Sequence, residues 1–331
     1  MDFDAVAAAR AALASVTVPP APQGPEADQA DLLDRPDGMV IRYLIWHPAP
    51  GMPPRGTVLL LQGRGEFVEK YAELAGWLRA AGWAVFAPDW RGQGRSGRLA
   101  PDRAMGHLNR FDDCLDDLDA LAAGPLAGLP RPLVMLGHSM GGHLGMRWVL
   151  ERVPAVARPA AIILSAPMID IRMPLPARRL VPPLARLMRA RGRGMTYAPG
   201  QGPGRASGGG FAGNRLTHDP ARWAREQALL AADPALHLGG SSWGWLAAAF
   251  DSIRDLERAV IRAGAGLDVP VTLLQGGADM VVDPVAQSRL VARLPRARLV
   301  VVPGALHEIL METDEIQAPA RAAITQALEG I

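Results

Sequence analysis

Cysteine occurs once in the 331 residues, as Cys114. An intrachain disulfide and a cysteine-rich metal site are therefore excluded, and a reducing, cytoplasmic setting is expected. Lysine also occurs once, as Lys70, so the 35 basic residues that face 33 acidic ones are almost all arginine. A formal net charge of +2 gives no electrostatic reason to expect nucleic-acid binding. No run of 18 or more apolar residues is present to cross a membrane as a helix, and acidic Asp2 and Asp4 stand where a secretory signal carries its bases. The expectation is a chain that neither spans a membrane nor follows classical export.

The apolar content, 49%, is enough for a sizeable core, as one large α/β domain or a domain with an insertion. Residues 1–37 combine Ala, Asp and a cluster of prolines (Pro19, Pro20, Pro22, Pro25) and read as a short helix followed by an extended tether. From Met39 onward, short apolar runs end in Gly, Pro or Asp: Val40 to Trp46, Thr57 to Gln62, Ala84 to Asp89, Leu133 to Gly137, Ala160 to Ser165, Val269 to Gln275 and Arg298 to Val302. Most read as strands buried on both faces. Helix candidates alternate with them at Glu66 to Ala81, Arg110 to Ala123, Gly142 to Glu151, Pro284 to Leu294 and Asp314 to Glu329. That alternation implies a doubly wound, mostly parallel sheet with its site at the strand C-terminal ends. The rhythm fails between residues 167 and 250, where Gly and Pro crowd Pro199 to Gly213, so this stretch reads as a cap inserted into a core of residues 38–166 and 251–331.

Leu133 to His138 runs through Gly137-His138-Ser139-Met140-Gly141 into a helical stretch, the strand, G-x-S-x-G and helix order of a nucleophile elbow. The pentapeptide alone is weak, and Gly240-Ser241-Ser242-Trp243-Gly244 matches it too. Ser242, however, follows a poor strand inside the irregular insertion and reads as a turn or helix-cap residue, which leaves Ser139 as the nucleophile. A serine hydroxyl needs a base, and a base needs an orienting acid. Val271 to Gln275 ends in Gly276-Gly277-Ala278-Asp279, and Leu299 to Val302 ends in Pro303-Gly304-Ala305-Leu306-His307, giving the order Ser139, Asp279, His307. Asp283 competes for the acid role, but its place directly before Pro284 suits a helix N-cap.

These segments, with Gln62-Gly63-Arg64-Gly65-Glu66, Asp89-Trp90-Arg91-Gly92-Gln93-Gly94-Arg95-Ser96 and His307-Glu308, make the chain resemble α/β-hydrolases of the monoacylglycerol lipase and lysophospholipase type from about Val40 onward. The resemblance implies a mobile cap over an acyl-binding tunnel, and an oxyanion hole from the backbone N–H groups of Arg64 and Met140. It implies two-step acyl transfer on a lipid-like ester, a lysophospholipid or monoacylglycerol, with no metal and no cofactor. Carboxylesterase or acyltransferase action on small esters, and a non-catalytic lipid- or membrane-binding use of the fold, are the alternatives. One departure is Gln62, where the family usually has His.

Other chemistry-bearing residues have plainer readings. His138 is expected to pack or to make a supporting hydrogen bond, and His107, His143, His218 and His237 lack ligand spacing. Asp112, Asp113, Asp116, Asp117 and Asp119 read as the polar side of an amphipathic helix, and Asp89 to Ser96 as a structural turn. Trp223, Phe211, Trp243, Trp245 and Phe250 are candidates for lining an acyl pocket. Between Ile171 and His218 there are nine arginines and no acid, interleaved with Leu175, Leu180, Leu184 and Leu187. This segment either forms a solvated cap surface or makes peripheral contact with an anionic membrane.

Overall fold

The computed structural model describes residues 24–204 and 210–331. The helix expected near the N-terminus, and Arg205, lie outside the described residues. Eight strands form one sheet: β1 (Gln29–Asp34), β2 (Val40–Trp46), β3 (Gly56–Leu61), β4 (Trp83–Pro88), β5 (Leu133–His138), β6 (Ala161–Ser165), β7 (Val271–Gly276) and β8 (Ala297–Val302). Their spatial order is β1-β2-β4-β3-β5-β6-β7-β8. From β4 through β8 every pairing is parallel, whereas β2 runs antiparallel to both β1 and β4. The doubly wound α/β sheet expected from the sequence is therefore present, with an antiparallel edge.

Sequence composition explains which strands are central. β3 (GTVLLL), β5 (LVMLGH) and β6 (AIILS) are buried at every position, which requires cover on both faces. That cover comes from α1 (Ala72–Ala80), α2 (Asp112–Ala123), α3 (Met140–Glu151), α7 (Pro284–Val291) and α8 (Asp314–Glu329). Each leucine or isoleucine closed into this core contributes roughly 1.5–3 kcal/mol relative to exposure. β8 departs from the expected buried run. It is the sheet edge, its residues are mostly half-buried, and Val301 faces outward.

Three boundaries differ from the sequence reading. The tether assigned to residues 1–37 contains β1, whose Gln29–Asp34 pairs residue for residue with Ile45 to Val40. The helix expected from Glu66 begins only at Ala72, after a 3-10 turn over Val68–Tyr71. The segment read as an insertion contains α4 (Leu175–Ala190) and α5 (Pro220–Ala232), and a third helix, α6 (Trp243–Ala263), runs without a break across residue 250, where the insertion was expected to end. The Asp-rich side of α2 also differs from a solvated face. Asp117 is buried between Arg35 and Arg91, and Asp112 pairs with Arg147.

Candidate active site

Ser139 occupies the turn between β5 and α3 with φ 49° and ψ −117°, a left-handed conformation that non-glycine residues rarely adopt. Glycine on either side makes that turn possible. A Cβ on Gly141 would lie 2.2 Å from the Leu61 carbonyl oxygen, and one on Gly137 would lie 2.7 Å from Gly142 Cα. The turn is held by the Ser139 N–H donating to the Ser165 carbonyl at 3.0 Å and the Met168 N–H donating to the Ser139 carbonyl at 3.0 Å.

The loops after β7 and β8 bring the other two predicted residues to this point. His307 Nε2 is 2.9 Å from Ser139 Oγ, and His307 Nδ1 is 2.8 Å from Asp279 Oδ2. Asp279 Oδ1 accepts from the N–H groups of Val281 (2.7 Å) and Val282 (3.3 Å), while Arg172 Nη1 donates to the Asp279 carbonyl at 2.6 Å. Burial works against ionising Asp279, but the hydrogen bond and charge of His307, with the two backbone donors, outweigh it and hold the carboxyl below its ordinary range. Asp283 instead caps α7, accepting from the Val285 N–H at 2.9 Å.

Facing the turn is the Gln62–Glu66 loop. A Cβ on Gly63 would stand 3.2 Å from Ser139 Cβ, so the loop passes directly beside the serine. Gln93 braces it by donating to the Gly63 carbonyl at 2.7 Å and accepting from the Gly65 N–H at 3.3 Å. Among the described residues the backbone N–H groups of Arg64 and Met140 donate to no protein acceptor. Gln62, where the resemblance leads one to expect histidine, donates through Nε2 to Asp89 at 3.2 Å. Asp89 also takes the Val68 and Arg95 N–H groups and the Arg42 guanidinium, which makes the Asp89–Ser96 turn a structural hub.

The second G-x-S-x-G match has a different geometry. Ser242 is the N-cap of α6, its Oγ accepting from the Trp245 N–H at 3.0 Å, and its φ of −78° is ordinary. It does contact a histidine, His107 Nδ1 at 2.8 Å, whose Nε2 lies 3.0 Å from Asn109 Oδ1. Yet Ser242 is 0% exposed against 8% for Ser139, and the far partner is an amide that carries no charge. Four further histidines have partners away from Ser139: His47 bonds Gln29, His143 bonds Ser252, His218 bonds Glu312 and His237 bonds the Pro203 carbonyl.

Sequence reasoning missed a buried charged cluster behind the histidine. Lys70 Nζ lies 2.9 Å from Glu66, 2.6 Å from Glu308 and 3.5 Å from Glu226 of α5. His138 lies between this cluster and the triad, its ring centroid 4.9 Å from that of His307 and its Nδ1 3.1 Å from the Ser165 carbonyl. Burial drives His138 down to about 4, so it stays neutral at pH 7. Burial, with Glu226 and Glu66 nearby, pushes Glu308 up to about 7 despite Lys70. The clues available were that Lys70 is the sole lysine and that Glu308 directly follows His307. Of the candidate pocket aromatics, Phe211 meets Trp223, Trp245 meets Phe111, Trp243 packs with Ala185, Ala198 and Ala247, and Phe250 is buried on α6.

The family model described as serine aminopeptidase, S33 matches residues 52–314. Lysophospholipase L2 of Escherichia coli K12 is 40% identical over 280 residues, covering 81% of this chain and 78% of that protein. Monoacylglycerol lipase of Mycolicibacterium smegmatis is 29% identical, covering 84% and 89% respectively. In fold, the chain superposes on a soluble variant of monoglyceride lipase from Saccharomyces cerevisiae in complex with a substrate analog, with a TM-score of 0.69, 23% identity and coverage of 92% and 97%. It is similar to Paleococcus ferrophilus monoacylglycerol lipase with a TM-score of 0.66 and 24% identity, covering 87% and 98%. With a family model matched over most of the chain and a relative 40% identical over most of both lengths, the protein belongs to the serine aminopeptidase S33 family of α/β-hydrolases.

Proposed function

We propose that the protein is a serine ester hydrolase that cleaves a lipid-like monoester, a lysophospholipid or monoacylglycerol, through an acyl-enzyme. The observation that carries this reading is the continuous hydrogen-bonded chain from Ser139 Oγ through His307 to Asp279. His307 Nε2 takes the Ser139 proton as Oγ attacks the ester carbonyl, and the same nitrogen then returns a proton to the leaving alcohol. Asp279 fixes the ring orientation and stabilises the imidazolium. The N–H groups of Arg64 and Met140, with the N-terminus of α3 behind the latter, receive the oxyanion; one such donor is worth about 10²- to 10³-fold in rate. Water then repeats the attack on the acyl-enzyme with His307 again as base. The printed names of the relatives support a lipid ester as the substrate. The test is a panel of lysophospholipids, monoacylglycerols and short p-nitrophenyl esters, together with fluorophosphonate labelling. Adduct on Ser139 and preference for long acyl chains are expected; an unlabelled folded protein, or preference for short esters, would overturn the reading.

The cap supplies a second proposal, peripheral contact with an anionic lipid surface. Leu175, Leu180, Leu184 and Leu187 of α4 are exposed, Leu180 by 66%, and arginines alternate with them. Arg186 and Arg189 pair with Asp251 and Arg178 with Asp170, while Arg179, Arg191 and Arg193 have no ion pair among the described residues. An apolar stripe flanked by such arginines suits a headgroup boundary. Sedimentation with anionic vesicles should fall as salt is raised, and salt-insensitive or absent binding removes the proposal.

A further inference from the structure

Four arginines are buried among the described residues, and every one is neutralised: Arg42 by Glu69 and Asp89, Arg91 by Asp117 and Asp37, Arg147 by Glu151 and Asp112, Arg222 by Glu73, Asp219 and Asp314. Arg98, without an acid, is satisfied by the carbonyls of Arg103, Ser96 and Ala235. Arg64 follows neither pattern. Its Nη2 donates to the Gly239 carbonyl at 2.8 Å, its guanidinium carbon stands 5.1 Å from the centre of the Trp245 ring, and its Nε is buried with no acceptor among the described residues. Among the described residues no carboxylate faces it, and burial lowers its affinity for a proton, to about 10, so it is still a cation at neutral pH. Gly106 is part of this seat, since a Cβ there would lie 2.3 Å from Arg64 Nη2.

A half-buried arginine with an unpartnered Nε and no carboxylate partner among the described residues, one residue beyond the glycine that passes beside Ser139, is costly unless an anion completes it. A phosphate has the oxygens that match the guanidinium fork, and in a lysophospholipid it is separated from the scissile ester only by the glycerol unit. We propose that the Arg64 side chain binds the substrate phosphate while its own backbone N–H serves the oxyanion, so that the site selects lysophospholipids over monoacylglycerols. This inference rests on the ester-hydrolase reading above and narrows its substrate class.

The test compares kcat/KM for a 1-acyl lysophospholipid and the 1-monoacylglycerol of the same chain, in matched mixed micelles, for the full-length protein and for Arg64→Met and Arg64→Lys. The lysophospholipid to monoacylglycerol ratio should fall about 10- to 100-fold in Arg64→Met, the size of a lost charge-assisted hydrogen-bond pair, and less in Arg64→Lys, which keeps the charge without the fork. Competitive inhibition of monoacylglycerol hydrolysis by glycerol 3-phosphate should weaken in parallel. Fluorophosphonate labelling of Ser139 identifies variants that fold; if Arg64→Met fails it, Arg64→Lys and the inhibition constant of the unmodified protein carry the test. An equal loss on both substrates, or an unchanged ratio, assigns Arg64 a packing role and overturns the proposal. Absence of hydrolysis of either lipid by the unmodified protein overturns the ester-hydrolase reading instead.

Discussion

Lys70 Nζ lies 2.6 Å from Glu308 Oε1, joining the short helical turn before α1 to the residue that follows His307. Three buried glutamates share this one ammonium. Replacing Lys70 with Met should therefore leave uncompensated negative charge in the core and cost about 3–5 kcal/mol. Urea unfolding at pH 7 measures the loss. Lowering the pH toward 5, which lets carboxyls take up protons, should recover part of it; a loss that grows on acidification would contradict the charge argument.

Glu308 gives a prediction of its own. Its affinity for a proton is raised in the folded state, from an ordinary 4.5 to about 7, so the folded protein holds a proton there that the unfolded chain has released. Stability contributed by this group is complete below pH 4.5 and is lost as the pH rises through about 7. Glu308→Gln, which keeps an acceptor for Lys70 and no longer titrates, should gain relative stability between pH 5 and pH 8. Unfolding curves that show the same difference between variant and wild type at both pH values would rule this out.

The two serines separate by function and stability. Ser139→Ala should lose nearly all turnover and all fluorophosphonate labelling with its fold intact. Ser242→Ala removes an N-cap and should cost about 1 kcal/mol in chemical unfolding while labelling persists.

The two aspartates should diverge in the same way. Asp279→Asn keeps the shape but presents the wrong partner to His307, and a fall of about 10⁴-fold in kcat is expected. Asp283→Ala should instead lower stability by about 0.5–2 kcal/mol through the lost cap on α7 and leave the rate of acyl transfer at Ser139 close to wild type. Similar kinetic losses in both variants would reopen the assignment of the acid.

Gly141→Ala would force a methyl group to within 2.2 Å of the Leu61 carbonyl oxygen, where neither backbone can yield without moving β3 or α3. A destabilisation of at least about 1–3 kcal/mol is expected, with loss of labelling at Ser139. A fully active and equally stable variant would mean that the turn is looser than its packing indicates.

The central strands, and the three side chains that meet as Ser139, His307 and Asp279, were legible because each is a local pattern: an apolar run, then a turn residue, then a named side chain. β1 was not legible, since QADLLD alternates weakly and its pairing with β2 is a long-range choice made against an open sheet edge. Pro182 and Pro183 hid α4, because two adjacent prolines remove donors that a helix interior normally uses. That α6 runs unbroken across residue 250 was not legible, because its first turn, Trp243-Gly244-Trp245, carries a glycine and two bulky aromatics rather than a clear helical signal. The charges around Lys70 come from residues 66, 226 and 308, and no window along the chain brings those together.

α6 runs unbroken from Trp243 to Ala263 and packs against both α4 and α3, the helix that begins one residue after Ser139. A substitution that displaces α6 would therefore unseat α4 and loosen the helix behind the nucleophile turn at the same time.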